Sequence, residues 1–289
     1  MAKVLVTGAT GFIGNYVVQQ LLYNNHQVIA TSSNEEKAKT FDWFGHVAFI
    51  PLNLENFDNS VDYFQFFNSP DVIIHLAWQG LPNYTSLFHF ENNLPRDYAF
   101  LKNLITHGAK DITITGTCFE YGMKQGLLTE DMLSAPANPY ALAKDTLRKF
   151  LLELQKKQPF NLKWIRLFYM YGKGQNENSL FSQLDRALAN GETVFNMSGG
   201  EQVRDYLPVT KVAENITIIA TQNNVQGIIN CCSNMPITVK KLIQDYLKNS
   251  NQQISLNLGF YPYADYEPMA FWGDDTKLKI ILNNEQCVN

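Results

Sequence analysis

The sequence predicts an α/β protein, a doubly wound parallel sheet followed by a smaller C-terminal region, and three observations predict it. Short apolar runs alternate with amphipathic segments through the first half, the pattern of parallel strands joined by covering helices. The first apolar run ends in three glycines spaced to open a helix. After about Gly172 strands become scarce and Asn, Gln, Tyr and Pro become common. Residues 1–172 are therefore expected to carry the sheet, and residues 173–289 mainly to bind substrate, with returns to the sheet.

The elements are read in chain order. Val4-Leu5-Val6 reads as a buried strand, and Phe12–Tyr23 as a helix with Phe12, Ile13, Tyr16, Val17 and Leu21 on one side. Further strands are expected at 28–30, 47–52, 72–76, 112–115 and 164–167, and helices at 92–107 and 140–157. No repeat or low-complexity linker separates the two regions, so one shared cleft is expected.

The bulk composition narrows the classes. Of 289 residues, 45% are apolar and 17% charged, which suits a globular protein and excludes a disordered one. The net charge is −4 and the basic residues form no run, so nucleic-acid binding is not expected. No stretch reaches the 18 or so apolar residues of a membrane span, and Met1-Ala2-Lys3 leads straight into a strand, so a cytoplasmic protein is expected. Cys118, Cys231, Cys232 and Cys287 match no zinc spacing, and the adjacent pair suits no disulfide, so reduced thiols and no metal site are expected.

The first chemistry-bearing segment is Val4-Leu5-Val6-Thr7-Gly8-Ala9-Thr10-Gly11-Phe12-Ile13-Gly14. Gly8 allows a tight turn at positive φ, Gly11 lets backbone approach a diphosphate, and Gly14 lets the helix pack near the strand. Free N–H groups at the helix start suit a dianion. A strand, this turn and an amphipathic helix together read as a Rossmann-type dinucleotide site, with Gly8, Thr10, Gly11, Phe12 and Ile13 at the cofactor. Where an acid would hold a ribose 2′-hydroxyl, the chain has Thr31-Ser32-Ser33-Asn34. Ser32, Ser33 and Lys37 would accept a 2′-phosphate, so NADP(H) is expected, with NAD as the alternative. Plain loop polarity is the other reading of the two serines.

Asn138-Pro139-Tyr140-Ala141-Leu142-Ala143-Lys144 reads as a helix start that places Tyr140 and Lys144 on one face. A free Tyr has a pKa near 10. A neighbouring ammonium is expected to lower it, so that the phenol can give or take the proton of a carbinol oxygen while a hydride moves at carbon.

These motifs, with Asp71-Val72-Ile73-Ile74-His75-Leu76-Ala77 and Arg204-Asp205-Tyr206, resemble the extended short-chain dehydrogenase/reductase family of nucleotide-sugar epimerases, dehydratases and reductases. The resemblance runs to about Asn230 and more faintly beyond. It implies Thr117, Tyr140 and Lys144 as catalytic residues, Thr117 hydrogen-bonding the substrate oxygen, unless it is an inert strand-end Thr. It implies Asn53 and Leu54 at the adenine, Leu76 and Ala77 by the nicotinamide, and Asn93 against the site core. Trp78, Gln79, Tyr84, Cys118 and Tyr169 would line the sugar pocket, Trp78 being equally read as core. Arg204 would hold the nucleotide diphosphate, or form a surface ion pair with Asp205. A homodimer is implied through the 92–107 and Tyr140 helices, where Leu151 and Leu154 would pack, unless they belong to the core. Glu120 and the segment from Glu267 to Asp274 receive no role.

The sequence departs from the family where reactions divide. Cys118 and Phe119 stand where dehydratases carry Asp and Glu; Phe119 and Gly174 stand near where the fucose-type epimerase-reductases carry Cys and His. The expected function is NADPH-dependent reduction of a nucleotide-diphosphate 4-keto-6-deoxyhexose. The alternatives are a nucleotide-sugar 4-epimerase with bound NAD and, from another class, a non-catalytic dinucleotide sensor.

Overall fold

The computed structural model describes residues 1–286, so Cys287 lies outside the described residues. Seven strands form the central sheet: β1 (Lys3–Thr7), β2 (Gln27–Thr31), β3 (Ala48–Phe49), β4 (Val72–His75), β5 (Asp111–Thr117), β6 (Asn161–Leu167) and β7 (Gly227–Cys231). Their order is β7-β6-β5-β4-β1-β2-β3, and every pairing is parallel. The order reverses beside β1, so β1, β2 and β4 end around a crevice where such sheets bind ligands.

Alternation along the strands assigns the two faces. Val4, Val6, Ile74, Ile165 and Ile229 bury one face in a core shared with Val17, Leu21, Val212, Ile216 and Leu278. These come from the helices Phe12–Tyr23, Val209–Thr221 and Thr276–Gln286. Leu5, Ile73, Ile112, Ile114 and Trp164 bury the other face under the helices Leu94–Thr106 and Pro139–Gln155. Each such aliphatic side chain contributes about 1.5–3 kcal/mol by leaving water.

Three expected elements shift. The strand expected at 47–52 is regular only over Ala48–Phe49. Pro51 lacks an N–H and interrupts the ladder, although Ile50 N still donates to Ala30 O (3.0 Å) and Leu52 N to Ser32 O (3.1 Å). The helix expected at 92–107 is regular from Leu94 to Thr106, behind a π-helical turn at His89–Asn93. The helix expected at 140–157 runs Pro139–Gln155, capped by Asn138, whose Oδ1 accepts from Ala141 N at 2.9 Å.

The chain after Gly172 does two jobs. The helices Leu180–Ala189 and Val239–Asn249 join Phe195 and Met197 in a separate small core. The helix Val209–Thr221 and β7 return to the main sheet. Leu151 is fully buried and Leu154 partly buried, both against the Leu94–Thr106 side of the sheet. The dimer contact expected of them is therefore corrected: on this helix they face inward at the sheet-packing spacing. No described helix is long and apolar enough to cross a membrane.

Candidate active site

The glycine turn is built from backbone in close approach. Gly8 has φ +68°, and a Cβ there would lie 2.8 Å from Ala77 N. A Cβ at Gly14 would lie 2.1 Å from Gly8 O. Gly11 N donates to Gly8 O (2.9 Å), and Gly11 caps the helix Phe12–Tyr23 with no side chain over its free N–H groups. The turn opens on a cleft lined by Thr7, Gly8, Thr10 and Gly11, by Ser32, Ser33, Asn53 and Leu54 toward β2, and by Leu76, Ala77, Trp78, Gln79 and Arg96 toward β4. A side-chain-free cradle at a helix start, with a long groove on either side, fits a dinucleotide.

Four residues expected at the cofactor do not line this cleft: Lys37, Asn93, Phe12 and Ile13. Lys37 is exposed and does not line the cleft; it lies on the short helix Glu35–Lys39, turned to solvent. Asn93 is fully buried and also outside the lining. Its Nδ2 donates to Gln79 O (2.9 Å) and its Oδ1 accepts from Arg96 Nη2 (2.8 Å), so it braces the loop after β4.

A second cavity adjoins at the ends of β5 and β6. Phe12, Ile13, Tyr84, Thr117, Cys118, Phe119, Tyr140, Tyr169 and Gln175 line it. Gly11 lines one cleft and Phe12 the other, so the helix start is the wall between them. Phe12 and Ile13, expected at the cofactor, thus face the second cavity.

Thr117 and Tyr140 meet in this cavity. Tyr140 is 7% exposed, packed against His89, Tyr84 and Trp78 with ring centroids 5.3, 5.5 and 6.1 Å away. Burial pushes its phenol well above the ordinary value; Tyr84, Glu120 and Cys118 push it further, and a hydrogen bond with Thr117 opposes them. The lowering expected from Lys144 is corrected. Lys144 is on the same helix face, but its Nζ donates to Thr115 O (2.8 Å) and lies 4.0 Å over the Trp78 ring. Burial lowers the Lys144 ammonium to about 8, against raising effects of Asp97 and Glu120.

Glu120, unassigned from sequence, fixes Thr117. Thr117 N donates to Glu120 Oε1 (2.9 Å), and Phe119 N donates to Thr117 Oγ1 (3.3 Å), a reciprocal capping box. Glu120 is fully buried and also accepts from Trp164 Nε1 (2.9 Å) and Arg166 Nε (2.8 Å). The charge that strand β6 supplies at Arg166 therefore holds the strand end of β5.

Arg204 is also corrected. It is 2% exposed and does not line the cavity. It donates to Val203 O (2.9 Å) and Met269 O (3.1 Å), pairs with Glu267 (3.3 Å), and stacks 4.6 Å over Phe271. Its alternative partner, Asp205, instead accepts from Ser233 and Asn234. Glu267 reaches the cavity wall through the hydroxyl of Tyr169, which donates to it. The unassigned segment is thus the outer support of Tyr169. Cys118 lines the cavity as a protonated thiol, its pKa raised by burial first and by Glu267 next.

Arg96, Gln175, Tyr266 and Glu267 had no role from sequence. Arg96 hides in a segment read only as an amphipathic helix. Tyr266 packs on Tyr84 at 6.0 Å and Glu267 on Tyr169, contacts that no local pattern announces.

Comparisons with known proteins agree with this architecture. The NAD dependent epimerase/dehydratase family profile matches residues 4–232. A dTDP-6-deoxy-L-talose 4-dehydrogenase (NAD(+)) of Aggregatibacter actinomycetemcomitans is 30% identical over 94% of this chain and 99% of its own. A UDP-glucose 4-epimerase of Halalkalibacterium halodurans is 24% identical over 98% and 90%. The solved UDP-glucuronic acid 4-epimerase of Bacillus cereus, in complex with UDP-glucuronic acid and NAD, superposes with a TM-score of 0.84 at 23% identity, covering 97% of this chain and 93% of that one. The chain belongs to the NAD dependent epimerase/dehydratase family.

Proposed function

We propose that the protein exchanges one hydride at C4 of a nucleotide-diphosphate sugar and that its net reaction is 4-epimerisation on a retained NAD. The observation that carries this reading is the second cavity itself. Thr117 and Tyr140 both line it, where they would share a substrate oxygen, and the remaining wall is mainly apolar, with Gln175 among its few polar members. A keto sugar held by few fixed polar partners can offer either ring face to the cofactor. The Halalkalibacterium and Bacillus relatives named above are 4-epimerases, and the Bacillus structure holds NAD. Among the cleft's lining residues toward β2 there is no Lys or Arg, so NAD(H) is the proposed cofactor.

The chain's residues have separate tasks. The glycine turn and the helix start hold the cofactor's diphosphate. A bound nicotinamide supplies hydride acceptance and return. Thr117 would hydrogen-bond the C4 oxygen, and Tyr140, as the phenolate left once its own proton has gone to solvent, would take the hydroxyl proton as hydride leaves C4 and return it on the reverse step. Lys144 places a positive charge beneath the site, held to Thr115 and Trp78. The raised Cys118 thiol is a poor base for a proton on carbon, which keeps the chemistry to one carbon.

Two observations favour a second reading, reduction of a 4-keto-6-deoxyhexose nucleotide by exchanged NAD(P)H. The raised Tyr140 phenol is the protonated species that reduction needs, and the Aggregatibacter relative acts on a 6-deoxysugar. Ser32 and Ser33 at the cleft would then serve NADPH. Incubation with a panel of nucleotide sugars decides between them. Epimerisation gives product of unchanged mass with no net cofactor change; reduction gives a product two mass units heavier with equimolar cofactor oxidation. Neither outcome with any nucleotide sugar would defeat the proposed C4 chemistry. A homodimer in the cytoplasm remains the proposed assembly, with exposed Leu142 and Phe150 on the Tyr140 helix as the contact, and sedimentation of Phe150→Glu tests it.

A further inference from the structure

Beneath the dinucleotide cleft a line of buried polar groups connects β1, β4 and the helix Leu94–Thr106. Thr7 Oγ1 accepts from Leu76 N (3.2 Å) and Ala77 N (3.3 Å), which leaves its own proton for His75 Nδ1 at 2.9 Å. His75 Nε2 then donates to Asp97 Oδ1 at 2.9 Å. His75 and Asp97 are fully buried, and burial lowers the His75 pKa, consistent with a neutral ring protonated at Nε2. Asp97 Oδ2 accepts from Arg96 Nη2 at 2.9 Å, and the same Nη2 donates to Asn93 Oδ1 at 2.8 Å. Arg96 therefore has one end of its guanidinium fixed by two acceptors. Its Nε is buried with no hydrogen-bond partner, although the side chain lines the cleft.

A buried unpaired donor on a cation is costly unless something completes it. The cleft is where the completing group would come from. We infer that Arg96 binds the diphosphate of the dinucleotide, as a second anion-binding element facing the glycine turn. This rests on the dinucleotide reading of the cleft. The strand order selects the diphosphate over a 2′-phosphate. Arg96 is tied to β4 through Asn93, Gln79 and His75, whereas Ser32 and Ser33 follow β2, on the far side of β1. The glycine turn lies between them. A guanidinium offers directed donors to phosphate oxygens that an ammonium cannot match. Asp97 lies behind it, fully buried, so it orients the guanidinium without lining the cleft.

The test is binding, read without substrate. NADH and NADPH are titrated by their fluorescence into the wild-type protein, Arg96→Gln and Arg96→Lys. ADP-ribose and adenosine compete against them. Arg96→Gln is expected to weaken NADH, NADPH and ADP-ribose by the same factor, about 10- to 100-fold, while adenosine binds as before. Arg96→Lys is expected to restore part of the loss. A loss confined to NADPH would place Arg96 at the 2′-phosphate and overturn the inference. So would an equal loss for adenosine, which would mean a distorted cleft, or no loss at all. Failure of the wild-type protein to bind either dinucleotide, with none released from the purified protein on denaturation, would remove the dinucleotide reading as well.

Discussion

The cofactor cleft is built around the glycine turn and the short stretches that end β1, β2 and β4, with Asn53, Leu54 and Arg96 completing its wall. The neighbouring cavity is made of large side chains drawn from Tyr84, Thr117, Tyr140 and Tyr169, with Glu267 supporting the wall from behind. The first can be specified by spacing alone, because a missing Cβ or a free N–H does its work wherever the chain turns. The second depends on which distant segments meet, and its outer wall is set by pairs such as Tyr169 with Glu267 and Arg204 with Glu267. One half is therefore sensitive to added atoms and the other to removed ones.

Removing one oxygen should break the substrate half most severely. Tyr140→Phe is expected to lower turnover by about 10²–10⁴-fold while NADH titration is unchanged. Equal turnover in the variant would show that the proton moves elsewhere.

The support of that half comes next. Glu120→Ala leaves Arg166 buried without its carboxylate and Thr117 N without its acceptor. Breaking such a buried pair costs about 3–5 kcal/mol, to be read from the denaturant midpoint. Retained stability would mean that Glu120 is a bystander.

Adding one methyl should injure the cofactor half. Gly14→Ala puts a Cβ against Gly8 O, which cannot move without shifting the turn. Overpacking of this kind costs about 1–3 kcal/mol, and NADH affinity should fall about tenfold or more. Calorimetric titration checks it, and unchanged affinity would show that the turn does not hold the cofactor.

The smallest effect expected is a gain. Lys144 has a folded pKa of about 8 against an ordinary value of 10.5. Folding therefore disfavours its charged form. The penalty is fully present below about pH 8 and fades as pH rises toward 10.5. Lys144→Met should melt a few degrees higher than the wild-type protein at pH 7, with the difference shrinking through that window, although it turns over no substrate. A lower melting temperature at pH 7 would show that the Thr115 hydrogen bond and the Trp78 contact outweigh burial.

The same contrast explains what could be read from the chain. Six of the seven sheet strands and the Tyr140 helix follow local periodicity, and the residues around Gly8 and Gly11 line the cleft as spacing implies. Tyr140 stands out beside the Asn138-Pro139 helix start, whereas Thr117 follows only from the family resemblance. Arg204 was misread because a cation near a recognisable motif looks free until its distant partner, Glu267, is known. Lys144 was misread in its effect on Tyr140 because side-chain direction and burial are tertiary quantities. Arg96 carried no motif at all; only the chain of contacts from Thr7 through His75 and Asp97 singles it out.

The proposed reaction is a hydride exchange at the sugar C4 across the two clefts. A nucleotide hexose carrying deuterium at C4, incubated with the holoenzyme in ordinary water, tests it most directly. The account predicts that the label is found on the nicotinamide or back on C4 and never in solvent. Label washed into water during product formation would contradict it, because that requires proton abstraction from carbon by a base this site does not supply.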